Sequence, residues 1–136
     1  MIDFALTDAQ RETQRTARAF AEREILPRIH ELDATSTYDR SLYEKMGAEG
    51  FLGLPIPERY GGAGMDYIAF ALLCEEMERA DTAFRVVLSV HTGLNSLTLL
   101  QWANEDQKQR YLVPQARGEK LASFGLTEPG VGSDAA

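Results

Sequence analysis

The sequence predicts a mainly α-helical fold, a helical bundle that ends in the first strand of a β-domain otherwise absent from the chain. Three observations carry this. Apolar residues recur at three- and four-residue steps through most of the length, which gives each helix one apolar stripe. Residues able to cap a helix, Thr7, Asp39, Asp66 and Asn104, stand ahead of those stripes. After Gly118 the period becomes two, with Ala122, Phe124 and Leu126 alternating with Ser123, Gly125 and Thr127. The expected division is a helical domain over 1–119, then the first strand and glycine turn of a truncated β-domain over 120–136.

Thr7 and Gln10 fit a capping box, in which each side chain satisfies a backbone N–H of the first turn. Ala17, Phe20, Ala21, Ile25, Ile29 and Leu32 form the first stripe, and Pro27 should kink it because proline removes a donor and crowds the preceding turn. Asp39 opens a second helix with Leu42, Tyr43 and Met46 inward and Gly50 near its end. Two prolines and three glycines make 54–64 a loop. Asp66 opens a third helix carrying Ala69, Leu72, Leu73, Met77 and Ala80. A fourth, from about Thr82 to Leu100, has the stripe Phe84, Val87, Leu88, His91, Leu94 and Thr98; its apolar character all round predicts a central place in the bundle. Asn104 opens a short fifth helix through Tyr111 and Leu112, ended by Pro114. A lone strand makes no stable sheet, so the partners of 122–127 are expected downstream in a longer parent or on another chain.

With 136 residues, 44% of them hydrophobic, the chain can bury a core. Fourteen basic and 21 acidic residues give a net charge of −7, which disfavours nucleic acid and anionic membrane as partners. A single cysteine, Cys74, rules out an intrachain disulfide. His30 and His91 are far apart, and no metal-ligand spacing is visible. Met1 is followed by Ile2, Asp3 and Phe4, so neither a signal peptide nor a transmembrane span is expected, and the location expected is cytoplasmic.

The segment richest in chemistry runs Phe124-Gly125-Leu126-Thr127-Glu128-Pro129-Gly130-Val131-Gly132-Ser133-Asp134. Thr127 offers a hydroxyl on the small face of a strand. Gly130 and Gly132 permit close backbone approach to a ligand and unusual backbone angles. Successive N–H groups in such a turn can cradle a phosphate, but on spacing alone the plainer reading is an ordinary turn.

Leu126-Thr127-Glu128-Pro129 followed by Gly132-Ser133-Asp134 closely resembles the signature of the acyl-CoA dehydrogenases. The resemblance extends upstream, in order, through 57–64 (PERYGGAG), 75–81 (EEMERAD) and 106–112 (DQKQRYL). It implies an N-terminal helical domain, a middle β-domain and a C-terminal four-helix bundle. FAD lies between domains and across a subunit interface of a homo-oligomer, a homotetramer or dimer. The reaction it implies removes the α-proton of an acyl-CoA thioester with a glutamate and passes the β-hydrogen as hydride to the flavin, which an electron-transfer flavoprotein reoxidises. By that likeness Phe124, Gly125, Leu126 and Thr127 would line the flavin, with Thr127 on the ring's polar edge. Gly132 and Ser133 would contact the pyrophosphate, and Ser133 would also face the acyl-CoA. The catalytic glutamate belongs to the C-terminal bundle, so no catalytic residue is assigned here and 136 residues alone should not turn over substrate. The short interval from His91 to Asp106 resembles short-chain or general bacterial members more than medium-chain ones. An acyl-CoA oxidase or flavin monooxygenase of the same fold is the nearest alternative. A non-enzymatic helical module is the alternative of another class.

Other residues admit plainer readings. Glu75, Glu76 and Glu78 read as a solvated helix face and Cys74 as a structural thiol. His91 reads first as a satisfied core histidine. With Ser89, Thr92 and Asn95 it also forms a polar streak in an apolar helix, and the resemblance makes that streak, His91 included, a candidate lining of the substrate cavity. Trp102 reads as a packing residue at the helix end, and Arg59 and Tyr60 as fixing their loop.

Overall fold

The computed structural model describes residues 4–134, and they are helical in the order the sequence predicts. Helix α1 (Asp8–Phe20) opens on the capping box: Thr7 Oγ1 accepts from the Gln10 N–H at 3.2 Å and Gln10 Oε1 accepts from the Thr7 N–H at 2.9 Å. A wider π-helical turn, Ala21–Ile25, follows. Pro27 then ends the helix rather than bending it, and α2 (Ile29–Thr35) starts anew. Asp39 caps α3 (Arg40–Ala48) through the Ser41 N–H, and Asp66 caps α4 (Tyr67–Ala80) through the Ala69 N–H, both at 2.8 Å. Helix α5 spans Thr82–Trp102, with π-helical geometry over Leu88–Ser96. Asn104 and Gln107 form a second capping box, which opens α6, three short helical pieces end to end over 105–116. Pro114 lies inside α6 rather than ending it, at the start of its last piece, where a missing N–H is tolerated.

Helices α1 and α4 pack face to face. Ala17, Phe20, Ala21 and Ile25 meet Ala69, Leu73 and Met77, and α3 closes the core with Leu42, Tyr43 and Met46. Each large side chain buried here contributes about 1.5–3 kcal/mol of transfer free energy. The loop of 54–64 is not a surface excursion. With the 3₁₀ turn Phe51–Gly53 just ahead of it and its own 3₁₀ turn Glu58–Tyr60, it folds back so that Leu52, Leu54, Ile56 and Tyr60 are buried. A Cβ on Gly53 would lie 2.4 Å from the Ala116 carbonyl oxygen, and one on Gly62 2.1 Å from that of Ile56. Glycine at 53 thus lets the end of α6 approach the Phe51–Gly53 turn closely, and glycine at 62 lets the loop close on itself.

Helix α5 departs from its expected place. It is not central: Val86 and Leu94 are exposed. Its length and mean hydropathy would suit a membrane span, yet its polar side chains are tied by tertiary hydrogen bonds to Leu52, Gln115 and Ser123. The buried positions also drift from the predicted stripe. Phe84, Leu88, Thr92 and Ser96 are buried at steps of four, whereas Leu94 and Thr98 face out. A turn closed by i→i+5 bonds holds more than 3.6 residues, which suits a four-residue repeat. Trp102 is 76% exposed and so is largely uncovered among the described residues, contrary to its reading as a packing residue.

The strand expected over 122–127 forms no ladder among the described residues. The only β-type pairing described there is an isolated antiparallel bridge between Glu128 and Val131, closing the Pro129-Gly130 turn. Among the described residues there is no neighbouring strand for this backbone to pair with.

Candidate functional site

The expected flavin-facing residues lie on the segment that leaves α6. Phe124, Gly125, Leu126, Thr127, Gly132 and Ser133 are all exposed. Phe124 and Leu126, at 55% and 48% exposure, hold apolar surface in water that nothing else in the described chain covers. The glycines are informative by contrast. At Gly53, Gly62 and Gly118 a Cβ would collide with backbone, so packing within the chain demands glycine there. At Gly125, Gly130 and Gly132 a Cβ would meet nothing within 4 Å. Nor does backbone conformation require them, because the positive-φ glycines among the described residues are Gly50, Gly61, Gly64 and Gly118. Gly130 and Gly132 therefore do not use the unusual angles the sequence suggested. The backbone at these glycines is open, which leaves room for another group to approach it closely.

His91 is placed differently from the expected substrate-lining role. It is fully buried. Its Nδ1 accepts from the Ala122 N–H at 3.0 Å, which leaves the proton on Nε2, and Nε2–H donates to the Gln115 carbonyl at 3.1 Å. Burial holds its pKa below the ordinary histidine value, opposed by the Gln115 bond. Both ring nitrogens of this neutral imidazole are engaged with backbone, so neither is available to a ligand. The rest of the streak also turns to protein. Thr92 Oγ1 donates to the Leu52 carbonyl at 2.8 Å, Asn95 Nδ2 to the Ser123 carbonyl at 2.8 Å, and Ser96 Oγ to the His91 carbonyl at 3.0 Å and Gln115 Oε1 at 3.1 Å. Ser89 bonds only the Arg85 carbonyl of its own helix. Gln115 carried no signal in the sequence. The i, i+4 spacing of His91 and Asn95 on an apolar helix was the one available.

Three other readings resolve here. Glu76 is not on a solvated face: its side chain is 1% exposed, and Arg18 grips it with a two-pronged bond at 2.9 and 2.7 Å. Cys74 is half-buried, and burial pushes its thiol up to about 11, the mark of an unreactive structural cysteine. Tyr60 is buried, donates to Glu105 Oε2 at 2.9 Å and carries the Arg59 guanidinium 4.9 Å above its ring, so both residues hold the loop against α6. No cluster of three or more metal-ligating side chains occurs among the described residues. A cleft of about 310 Å³ lined in part by Leu32, Tyr38, Tyr43, Asp81 and Phe84 contains none of the expected site residues.

A helical bundle followed by an exposed, glycine-containing segment is the class these features define. The family model for the acyl-CoA dehydrogenase N-terminal domain matches residues 7–119. The chain is 40% identical over 133 residues to the short-chain specific acyl-CoA dehydrogenase of Clostridium acetobutylicum, an alignment covering 98% of this chain and 35% of that protein. It matches the structure of butyryl-CoA dehydrogenase from Megasphaera elsdenii with a TM-score of 0.93 at 36% identity, over 98% of this chain and 36% of that one. A chain from a structure described as the electron transferring flavoprotein of Acidaminococcus fermentans matches with a TM-score of 0.95 at 40% identity, over 98% of this chain and 35% of the other. The chain belongs to the acyl-CoA dehydrogenase family and has the fold of its N-terminal helical domain. It spans about a third of the length of the relatives it matches.

Proposed function

We propose that this chain is the N-terminal part of an enzyme that dehydrogenates an acyl-CoA thioester between its α and β carbons, and that it supplies one wall of the flavin and substrate site. The observation that carries this reading is the exposed segment 124–133, whose three glycines answer to no packing or backbone need within the chain. Bound FAD supplies the two-electron acceptor. Phe124, Gly125 and Leu126 would offer backbone groups and apolar surface to the ring, and the Thr127 hydroxyl would hydrogen-bond its polar edge. Gly132 and Ser133 would take the pyrophosphate, with Ser133 also toward the acyl-CoA. His91 would serve the site from behind rather than touch the substrate.

The division is inferred to fall as the sequence suggests, with the helical domain ending at 119. The names of the relatives cited favour a short acyl chain. Reoxidation by an electron-transfer flavoprotein, assembly as a homotetramer or dimer and a cytoplasmic location complete the reading. The test is to express the full-length protein and record its visible spectrum. Oxidised-flavin bands that bleach on addition of butyryl-CoA are expected, and Thr127→Val and Ser133→Ala should each weaken FAD retention. A colourless protein indifferent to acyl-CoA would overturn the proposal. Turnover by residues 1–136 alone would overturn the placement of the base outside them.

A further inference from the structure

Two side chains of α5 hold the start of the candidate flavin segment by its backbone. His91 and Asn95 lie one helical turn apart. His91 Nδ1 takes the Ala122 N–H at 3.0 Å, and Asn95 Nδ2 gives to the Ser123 carbonyl at 2.8 Å. The next residue is Phe124, and Thr127 lies four residues beyond Ser123. No backbone hydrogen bond of Phe124–Thr127 is present among the described residues. The direction in which the segment leaves the helical body is therefore set by these two bonds. His91 is in turn fixed by its Nε2–H bond to the Gln115 carbonyl, and the Gln115 side chain by Ser96. The segment is thus registered against both α5 and the end of α6.

We propose that His91 and Asn95 are positioning residues for the flavin: they aim Phe124–Thr127 at the ring without touching it. This rests on the reading of that segment as flavin-lining. Two substitutions of His91 separate aiming from mere support of the fold. The amide oxygen of His91→Asn falls near the Nδ1 position, so it keeps the acceptor for Ala122 and loses the bond to Gln115. His91→Gln reaches the Nε2 position, so it keeps the Gln115 bond and loses the acceptor. Asn95→Asp removes the donor to Ser123 at a partly exposed site and is expected to fold.

In the full-length holoenzyme, His91→Gln and Asn95→Asp should each weaken FAD binding about fivefold, the scale of one lost hydrogen bond, and shift the visible flavin band. His91→Asn should stay near wild type in both. Equal loss in His91→Asn and His91→Gln would reduce His91 to a structural role and overturn the proposal. So would undisturbed FAD binding in His91→Gln and Asn95→Asp while Thr127→Val weakens it. If Thr127→Val and Ser133→Ala also leave FAD binding unchanged, the flavin reading itself falls, and the proposal falls with it.

Discussion

Replacing Glu76 with glutamine should open the contact between α1 and α4. The carboxylate is buried and accepts from four donors: Arg18 Nε at 2.9 Å, Arg18 Nη2 at 2.7 Å, Gln14 Nε2 at 3.1 Å and Arg79 Nη1 at 3.4 Å. Glutamine keeps the shape but turns one acceptor oxygen into an NH₂ aimed at those donors. Removing one partner of a fully buried pair costs about 3–5 kcal/mol. The Arg18 side chain is 46% exposed and can recover water, which brings the expectation down to about 2–3 kcal/mol. That corresponds to roughly 30- to 150-fold more frequent opening of the α1–α4 contact. Hydrogen exchange followed by mass spectrometry on peptides of α1 and α4 reads this directly, because it reports local opening. The double variant Arg18→Met with Glu76→Leu, which replaces the pair by apolar side chains, should restore most of the protection. If Glu76→Gln changes exchange in these peptides less than about threefold, the pair is contributing little and the electrostatic account of this interface is wrong.

Three further outcomes are expected. Gly53→Ala should destabilise the fold, because its Cβ meets the Ala116 backbone, whereas Gly132→Ala should leave the thermal midpoint unchanged and lower only FAD retention in the full-length protein; a reversed pattern would refute the packing argument. Hydrogen bonds hold Asp39, Asp66 and Glu76 below the usual carboxylate range, chiefly from Ser41, the Ala69 N–H and Arg18 respectively. Their folded-state affinity for protons is lower than in the unfolded chain, so their contribution is complete from about pH 5 upward, above the unfolded values, and is lost as pH falls through the folded values; urea midpoints at pH 7, 5, 4 and 3 should show the decline below about pH 5. Cys74, with its thiol pushed up to about 11, should be thiolate to only about one part in a thousand at pH 8, so iodoacetamide labelling far slower than that of a free model thiol is expected in the native state, and fast labelling would contradict the burial.

The helices and their starts were legible because their signals are local. Thr7 with Gln10, Asp39, Asp66 and Asn104 satisfy N–H groups no more than three residues away, and such bonds do not depend on the rest of the fold. The candidate segment was legible for the same reason, since its glycines and Thr127 are contiguous. What stayed hidden depends on partners distant in sequence. Glu76 reads as solvent-facing until Arg18, 58 residues away, is found opposite it. That His91 is a satisfied core histidine is the first reading of the sequence, but the sequence does not name the partners that take the hydrogen bonds of the streak, Leu52, Gln115 and Ser123. Trp102 has large apolar surface, and a single sequence does not say that nothing in these residues will cover it.

The polar seam of α5 explains how so apolar a helix can serve as a reference for the candidate segment. Apolar contacts are non-directional and tolerate a helix sliding or rotating by a fraction of a turn. A hydrogen bond does not, because its energy falls steeply with misalignment. His91, Thr92, Asn95 and Ser96 direct their bonds to the Phe51–Gly53 turn, to the end of α6 and to the start of the candidate segment. Among the described residues no buried side-chain nitrogen or oxygen lacks a partner, so any slip of α5 would strand several buried polar groups at once, at about 1–3 kcal/mol each. One helix therefore carries a single register to three elements. The outer face of the same helix, with Val86 and Leu94 exposed, is free to meet whatever packs there without disturbing that register. On the proposed reading, the precision with which Phe124–Thr127 would be offered to a flavin ring derives from side chains that never reach it.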